Sequence, residues 1–138
     1  MNGQKGEFYT VDICGRVEEL PVLKLASGPK IAFFNLHGNV ELTEYCAEKL
    51  AGLLAGKADI LLTAESKGLQ LTHCAARMLG HRFYAVARKS LKLYMQDGIS
   101  VAVKSITTAK EQRLYLSARD VKLLRGKRVA VVDDVIST

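Results

Sequence analysis

No stretch of the 138 residues is apolar for the ~18 consecutive positions needed to cross a bilayer. The opening decapeptide MNGQKGEFYT has no apolar core of the kind a secretory signal requires. The sequence therefore predicts neither a membrane partner nor an export signal. Cysteine is scarce. Cys14, Cys46 and Cys74 are an odd number, stand far apart and form no C-x-x-C pair. That argues against a disulfide framework and a thiolate zinc site, and it fits a reducing cytoplasm. His37, His73 and His81 lack metal-ligand spacing and read as surface or packing positions. There is no repeat, low-complexity tract or linker, so one domain of ordinary size is expected over 1–138. Aromatic residues are only 7% of the chain, and the basic stretch 122–128 (KLLRGKR) has none interleaved. That stretch reads as a solvated helix end, and no nucleic-acid partner is expected.

What is present suits a folded soluble domain. Apolar residues make up 49% and charged residues 25%, enough for a real core and no compositional case for disorder. Twenty basic against fourteen acidic side chains give a net charge of +6. A positive surplus suits an anionic partner such as nucleic acid, phosphate or pyrophosphate, and charge alone does not choose among them.

Short strand-like runs alternate with helical patterns. Residues 17–25 (VEELPVLKL) and 30–35 (KIAFFN) read as strands joined by the turn Ala26-Ser27-Gly28-Pro29. Residues 40–55 read as a helix whose apolar face is Leu42, Cys46, Leu50, Leu53 and Leu54. ADILLTA at 58–64 is an apolar run of buried-strand type. A second helix covers about 68–79, with Leu71, Ala75, Met78 and Leu79 on one face and Gly80 as its stop. Residues 83–88 (FYAVAR) are another strand. Residues 99–106 and 112–117 alternate like a hairpin around a polar tip at Thr107 to Glu111. Ser117 can cap a short helix to about Leu124, and RVAVVDD at 128–134 is again an apolar run, closed by two acids. The alternation predicts an α/β fold, a mostly parallel sheet flanked by helices on both faces, with 58–63, 83–87 and 128–132 as neighbouring strands. Ligands in such sheets bind at the carboxyl ends of the strands.

Three motifs occupy those ends. In Val131-Val132-Asp133-Asp134-Val135-Ile136-Ser137-Thr138 an aliphatic run meets two adjacent carboxylates and then a small polar turn. Adjacent acids at a buried strand's mouth could hold magnesium or accept hydrogen bonds from vicinal sugar hydroxyls, and the turn's N–H groups could cradle a phosphate. A solvated strand end with a helix cap explains them equally well. In Ala64-Glu65-Ser66-Lys67-Gly68 a glycine and successive N–H groups suit an anion and Lys67 adds a point charge, although an ordinary strand-to-helix turn fits this motif better when taken alone. Arg88-Lys89-Ser90 with Lys92 suits a polyphosphate; a solvated basic turn is the simpler account of it taken singly. Their occurrence together at one sheet edge points to a site for a phosphorylated sugar.

VVDDVIST resembles the phosphoribosyl pyrophosphate (PRPP) signature of the type I phosphoribosyltransferases over eight consecutive residues. AESKG occupies the place of that family's pyrophosphate loop. ARKS, followed by a long basic and polar stretch, resembles the purine branch, particularly adenine phosphoribosyltransferases. Phe33-Phe34-Asn35-Leu36-His37 is similar to the N-terminal hood of bacterial xanthine phosphoribosyltransferases. The resemblance covers roughly 17–138. It implies that Asp133 and Asp134 take the ribose hydroxyls of PRPP, directly or with Mg2+, and count with Lys92 as catalytic. It implies that Glu65, Ser66, Lys67 and Gly68, in a loop where a non-proline cis peptide is common, hold pyrophosphate together with Arg88 and Lys89. Ser137 and Thr138 would begin the 5′-phosphate loop, Phe34 and Asn35 would hold the base, and about 93–117 would be a mobile lid. The implied reaction transfers the 5-phosphoribosyl group from PRPP to a purine, adenine giving AMP and pyrophosphate, in a cytoplasmic homodimer. Xanthine or another 6-oxopurine, or a non-catalytic PRPP-sensing regulator, are the alternatives. The family pattern continues with Gly-Gly-Thr or similar where this chain stops at Thr138, which implies a C-terminally truncated domain.

Overall fold

The chain falls into two compact units, Met1–Asn35 and Leu36–Thr138. The computed structural model describes residues 6–103 and 112–136.

The first unit is an antiparallel sheet of β1 (Phe8–Ile13), β2 (Arg16–Lys24) and β3 (Lys30–Ala32). Strand β1 is absent from the sequence expectation. Its hairpin turns through Cys14 and Gly15, both at positive φ (54° and 93°), with Ile13 paired to Arg16. Two left-handed residues in a two-residue loop match the twist of the flanking strands. The Asp12 carboxylate accepts the Gly15 N–H at 2.7 Å and fixes the turn. The expected turn at 26–29 is present. Gly28 sits at φ 109° and donates to the Leu25 carbonyl at 2.9 Å. Strand β3 stops at Ala32, short of the expected Asn35.

The second unit runs α1 (Val40–Leu54), β4 (Ile60–Ala64), α2 (Leu69–Met78), β5 (Ala85–Ala87), a one-turn 3-10 helix (Leu93–Met95), β6 (Ile99–Val103), β7 (Gln112–Leu116), α3 (Ala118–Leu124) and β8 (Val129–Val131). Strands β5, β4 and β8 pair in that order, all parallel, as expected for the three apolar runs. The central strand β4 buries Ile60, Leu61 and Thr63, because helices cover a parallel sheet and its middle strand meets no water. Strands β6 and β7 form the expected hairpin, whose tip lies outside the described residues. Reciprocal 2.8 Å backbone bonds between Arg88 and Tyr115 tie the hairpin to the end of β5.

Helix α1 is capped by Asn39, whose side chain accepts the Leu42 N–H at 3.0 Å. Its buried stripe is Leu42, Thr43, Ala47 and Ala51, whereas Leu53, expected inside, is 60% exposed. Helix α2 likewise buries Leu71, Thr72, Ala75 and Ala76, and leaves Met78 at the surface. The two helices are in contact. The expected Leu42, Leu71 and Ala75 are buried, and the small residues Thr43, Ala47, Ala51, Thr72 and Ala76 complete the buried stripes in place of Leu53 and Met78. Gly80 ends α2 as expected. Its φ is 73°, its N–H bonds the Arg77 carbonyl at 3.1 Å, and the His81 N–H bonds the Ala76 carbonyl at 2.9 Å, the paired bonds of a Schellman stop. Ser117 caps α3 by accepting the Asp120 N–H at 3.1 Å, also as expected.

At the amino ends of β4 and β8, Asp59 accepts from Arg128 Nη2 at 2.7 Å and from the Arg128 backbone N–H at 2.8 Å. Those two bonds lower the Asp59 carboxyl from 3.8 to about 2. A group with a depressed folded-state pKa adds stability above its unfolded value, and that stability is lost as pH falls through the folded value. Asp59→Asn is therefore expected to flatten the fall in Tm between pH 3.8 and about 2. Thermal melts of both proteins across that window check it, and an unchanged slope would show that the pair contributes nothing to folding.

Candidate functional site

The loop after β4 carries Glu65, Ser66, Lys67 and Gly68 into the first turn of α2. Its Glu65–Ser66 peptide is cis. Ser66 and Lys67 are exposed, while Gly68 is buried. The reason for a glycine here is space. Its φ of −84° is open to any residue, but a Cβ would stand 2.6 Å from Thr63 Oγ1, 2.9 Å from Asp133 Oδ1 and 3.2 Å from Asp133 Cα. The loop after β4 and the acidic end of β8 thus meet at Gly68 without room for a methyl group. The Thr72 hydroxyl donates to the Gly68 carbonyl at 2.7 Å and holds the turn against α2.

On the other flank, the residues after β5 reach the same loop. Glu65 Oε2 accepts from Arg88 Nε at 2.9 Å, and Glu65 Oε1 accepts the Lys89 backbone N–H at 2.6 Å. The Lys89 N–H, followed by Arg88 and then the charge of Lys92, holds the Glu65 carboxyl below the usual range, while partial burial opposes them. Lys92 is half-buried and precedes the 3-10 turn Leu93–Met95. Arg88 Nη1 donates to the Tyr94 hydroxyl at 2.8 Å.

At the end of β8 the ladder continues one residue further, with the Val132 N–H on the Leu62 carbonyl at 2.9 Å. Val132 is buried, and Asp133 and Asp134 emerge half-buried. Asp133 Oδ1 accepts the Asp134 N–H at 2.9 Å. Burial pushes the Asp133 carboxyl up, the Asp134 side chain pushes it further, and the Lys89 ammonium and the Asp134 N–H pull it back. Lys89 therefore acts electrostatically on both acidic positions, Glu65 through its backbone and Asp133 through its charge.

The three expected strand-end motifs come together. Glu65, Gly68, Arg88, Lys89 and Asp133 are joined by the interactions above, Lys92 acts on Glu65 through its charge, and Ser66, Lys67 and Asp134 are immediate chain neighbours. Ser137 and Thr138 lie outside the described residues. Phe34 and Asn35 close the first unit, Phe34 half-buried and Asn35 exposed. Sequence reasoning missed Thr63, which is fully buried beneath Gly68. A threonine inside an apolar strand was its only signal. Tyr94, whose hydroxyl accepts from Arg88, also belongs to this neighbourhood.

Among the described residues no group of three or more His, Cys, Asp or Glu could hold a metal ion by itself. The donor set at β8 is two adjacent carboxylates. That set suits Mg2+ that brings its remaining oxygen ligands with a phosphorylated substrate.

No family model matches the chain, and no curated protein matches it. Among solved structures it is similar to the adenine phosphoribosyltransferase from Thermoanaerobacter pseudethanolicus ATCC 33223, with a TM-score of 0.63 and 22% identity. The match covers 81% of this chain and 63% of that one, so this chain spans less than two thirds of that protein's length. The likeness shows the fold, a parallel sheet flanked by helices with a phosphoribosyltransferase-like core. No helix among the described residues is long and apolar enough to cross a membrane.

Proposed function

We propose that the chain binds PRPP across the carboxyl ends of β5, β4 and β8 and transfers its 5-phosphoribosyl group to a purine base, with adenine giving AMP and pyrophosphate. The observation that carries this reading is the convergence at one sheet edge of the Glu65–Gly68 loop, the cations after β5 and the carboxylates after β8, the loop packed on Asp133 at Gly68 and tied to Arg88 and Lys89 through Glu65. Each supports one part of the substrate. Asp133 and Asp134 accept hydrogen bonds from the ribose hydroxyls. The backbone N–H groups of residues 66–68 and the Lys67 charge take the diphosphate, and Arg88, Lys89 and Lys92 add positive charge around it. Asp133 and Asp134 would hold Mg2+ brought with the substrate, and the ion would supply charge neutralisation for the leaving group.

The residue types suit the reaction. Loss of pyrophosphate from C1 leaves positive charge on the sugar and negative charge on the departing group, so carboxylates beside one and cations beside the other both stabilise the transition state. Little proton transfer is needed at C1, and no Ser-His-Asp set is required. Water competes with the base as a nucleophile, so exclusion of water from the reacting centre favours transfer. The protein works as a cytoplasmic homodimer in this reading.

The test is purine-nucleotide formation from PRPP and Mg2+ with adenine, xanthine and hypoxanthine in parallel. AMP formation is expected to exceed the other two. Absence of PRPP-dependent product with all three bases would overturn the proposal.

A further inference from the structure

Glu65 stands in the middle of the cation cluster, and a carboxylate repels a diphosphate. Its oxygens face protein groups instead. One accepts from Arg88 Nε and the other from the Lys89 backbone N–H, so a single side chain ties two successive residues after β5 to the loop after β4. The bond to Arg88 is made at Nε, the guanidinium nitrogen nearest the backbone. The backbone of Arg88 is itself pinned by its two bonds to Tyr115. The side chain is thereby fixed at its root and at its inner edge. Its outer edge, at Nη1, meets only a phenol hydroxyl among the bonds described, that of Tyr94, a residue 69% exposed. A neutral hydroxyl is a weak competitor for a guanidinium when a phosphate oxygen is offered, because only the phosphate brings an opposite charge and can accept two parallel N–H bonds.

We propose that Glu65 is a positioning residue. It presents the outer edge of Arg88 to the diphosphate, which displaces the Tyr94 hydroxyl from Arg88 Nη1. This rests on the reading of this edge as a pyrophosphate site. Glu65 then touches no substrate and acts through its two partners. The depressed pKa of its carboxyl keeps it ionised at neutral pH, as the tie to Arg88 requires. The displacement also couples ligand to the chain that follows, since Tyr94 lies in the 3-10 turn that leads into β6.

The test titrates inorganic pyrophosphate into the full 138-residue chain by calorimetry, for the native protein, Glu65→Gln and Tyr94→Phe. It also follows the Arg88 Nε–H resonance by NMR, assigned from its loss in Arg88→Lys. Glutamine can still accept from the Lys89 N–H, but it is uncharged and its amide can turn a donor toward Arg88 Nε. Glu65→Gln is expected to weaken pyrophosphate binding about 10-fold or more and to move the Arg88 Nε–H signal toward rapid solvent exchange. Tyr94→Phe is expected to bind as tightly as the native protein or more tightly, having lost the competing hydroxyl. A role limited to tying strands together would lower Tm in Glu65→Gln without changing the affinity. Native binding left unchanged by Glu65→Gln, an unmoved Arg88 signal, or weaker binding in Tyr94→Phe would each overturn the positioning role while leaving the site reading intact. Should Glu65→Gln not fold, Glu65→Asp, which keeps the charge and shortens its reach, is expected to weaken binding in the same direction. No pyrophosphate binding by the native chain would overturn the site reading and this role with it.

Discussion

Replacing both acids at the end of β8, Asp133→Asn with Asp134→Asn, is expected to lower PRPP-dependent purine-nucleotide formation by about 100- to 1,000-fold, the effect of removing one well-placed electrostatic contact from a transition state. The same variant is expected to melt no lower than the native protein at neutral pH. Asparagine has nearly the volume of aspartate, so no cavity opens. Its amide oxygen can still accept the Asp134-position N–H that Asp133 Oδ1 accepts in the native chain. Burial and the neighbouring carboxylate raise the Asp133 pKa. For an acid raised in this way, ionisation opposes folding once pH passes the unfolded value, so removing the charge relieves the fold at neutral pH. Activity and stability are thus expected to move independently. Initial rates with adenine and a thermal melt on the same preparation check both, and native turnover in a normally melting double variant would show that these carboxylates are not the ribose site.

Gly68→Ala is expected to damage fold and site together. The added methyl would lie 2.6 Å from Thr63 Oγ1 and 2.9 Å from Asp133 Oδ1, closer than carbon and oxygen can approach. Thr63 is wholly buried in the central strand and cannot retreat, so the strain passes to Asp133 and the end of β8. Overpacking of this kind costs about 1–3 kcal/mol. At roughly 4 °C per kcal/mol, Tm falls by several degrees. Turnover is expected to fall at temperatures where the variant is still folded, because the displaced group is one of the two acids. Gly52 is the control. It lies inside α1 with nothing within 4 Å of its would-be Cβ, and Gly52→Ala is expected to stabilise by up to about 1 kcal/mol through helix propensity alone. Native melting and native turnover in Gly68→Ala would remove the close packing between the two loops from the account.

The parallel sheet and the edge where the three motifs meet were legible because each strand is an apolar run closed by residues that do not belong in a core. ILLTA runs into Glu65, AVA into Arg88, and VAVV into Asp133. That the three are neighbours followed from the shared pattern, while the order, with β4 in the middle, is read from the structure. The first hairpin was not legible, because its turn is Cys14-Gly15 and lacks the Asn-Gly or Asp-Gly signature that marks two left-handed residues. The helix stripes were legible only in part, with Ala47 and Ala51 inside and Leu53 out. Within the site, residue types were readable but partnerships were not. Sequence placed Glu65 in the anion loop, yet only geometry shows both of its oxygens on the β5 side. Sequence assigned Gly68 a backbone role, and geometry shows a steric one.

The central claim is that one PRPP molecule occupies the shared carboxyl edge of β5, β4 and β8. Amide chemical-shift mapping with PRPP and Mg2+ tests it most directly, since the chain is only 15.1 kDa. The account predicts saturable shifts that cluster at residues 65–69, 88–92 and 132–135, and their disappearance at the third cluster in the Asp133→Asn, Asp134→Asn variant. Shifts confined to other surfaces, or no shifts at saturating PRPP, would contradict it.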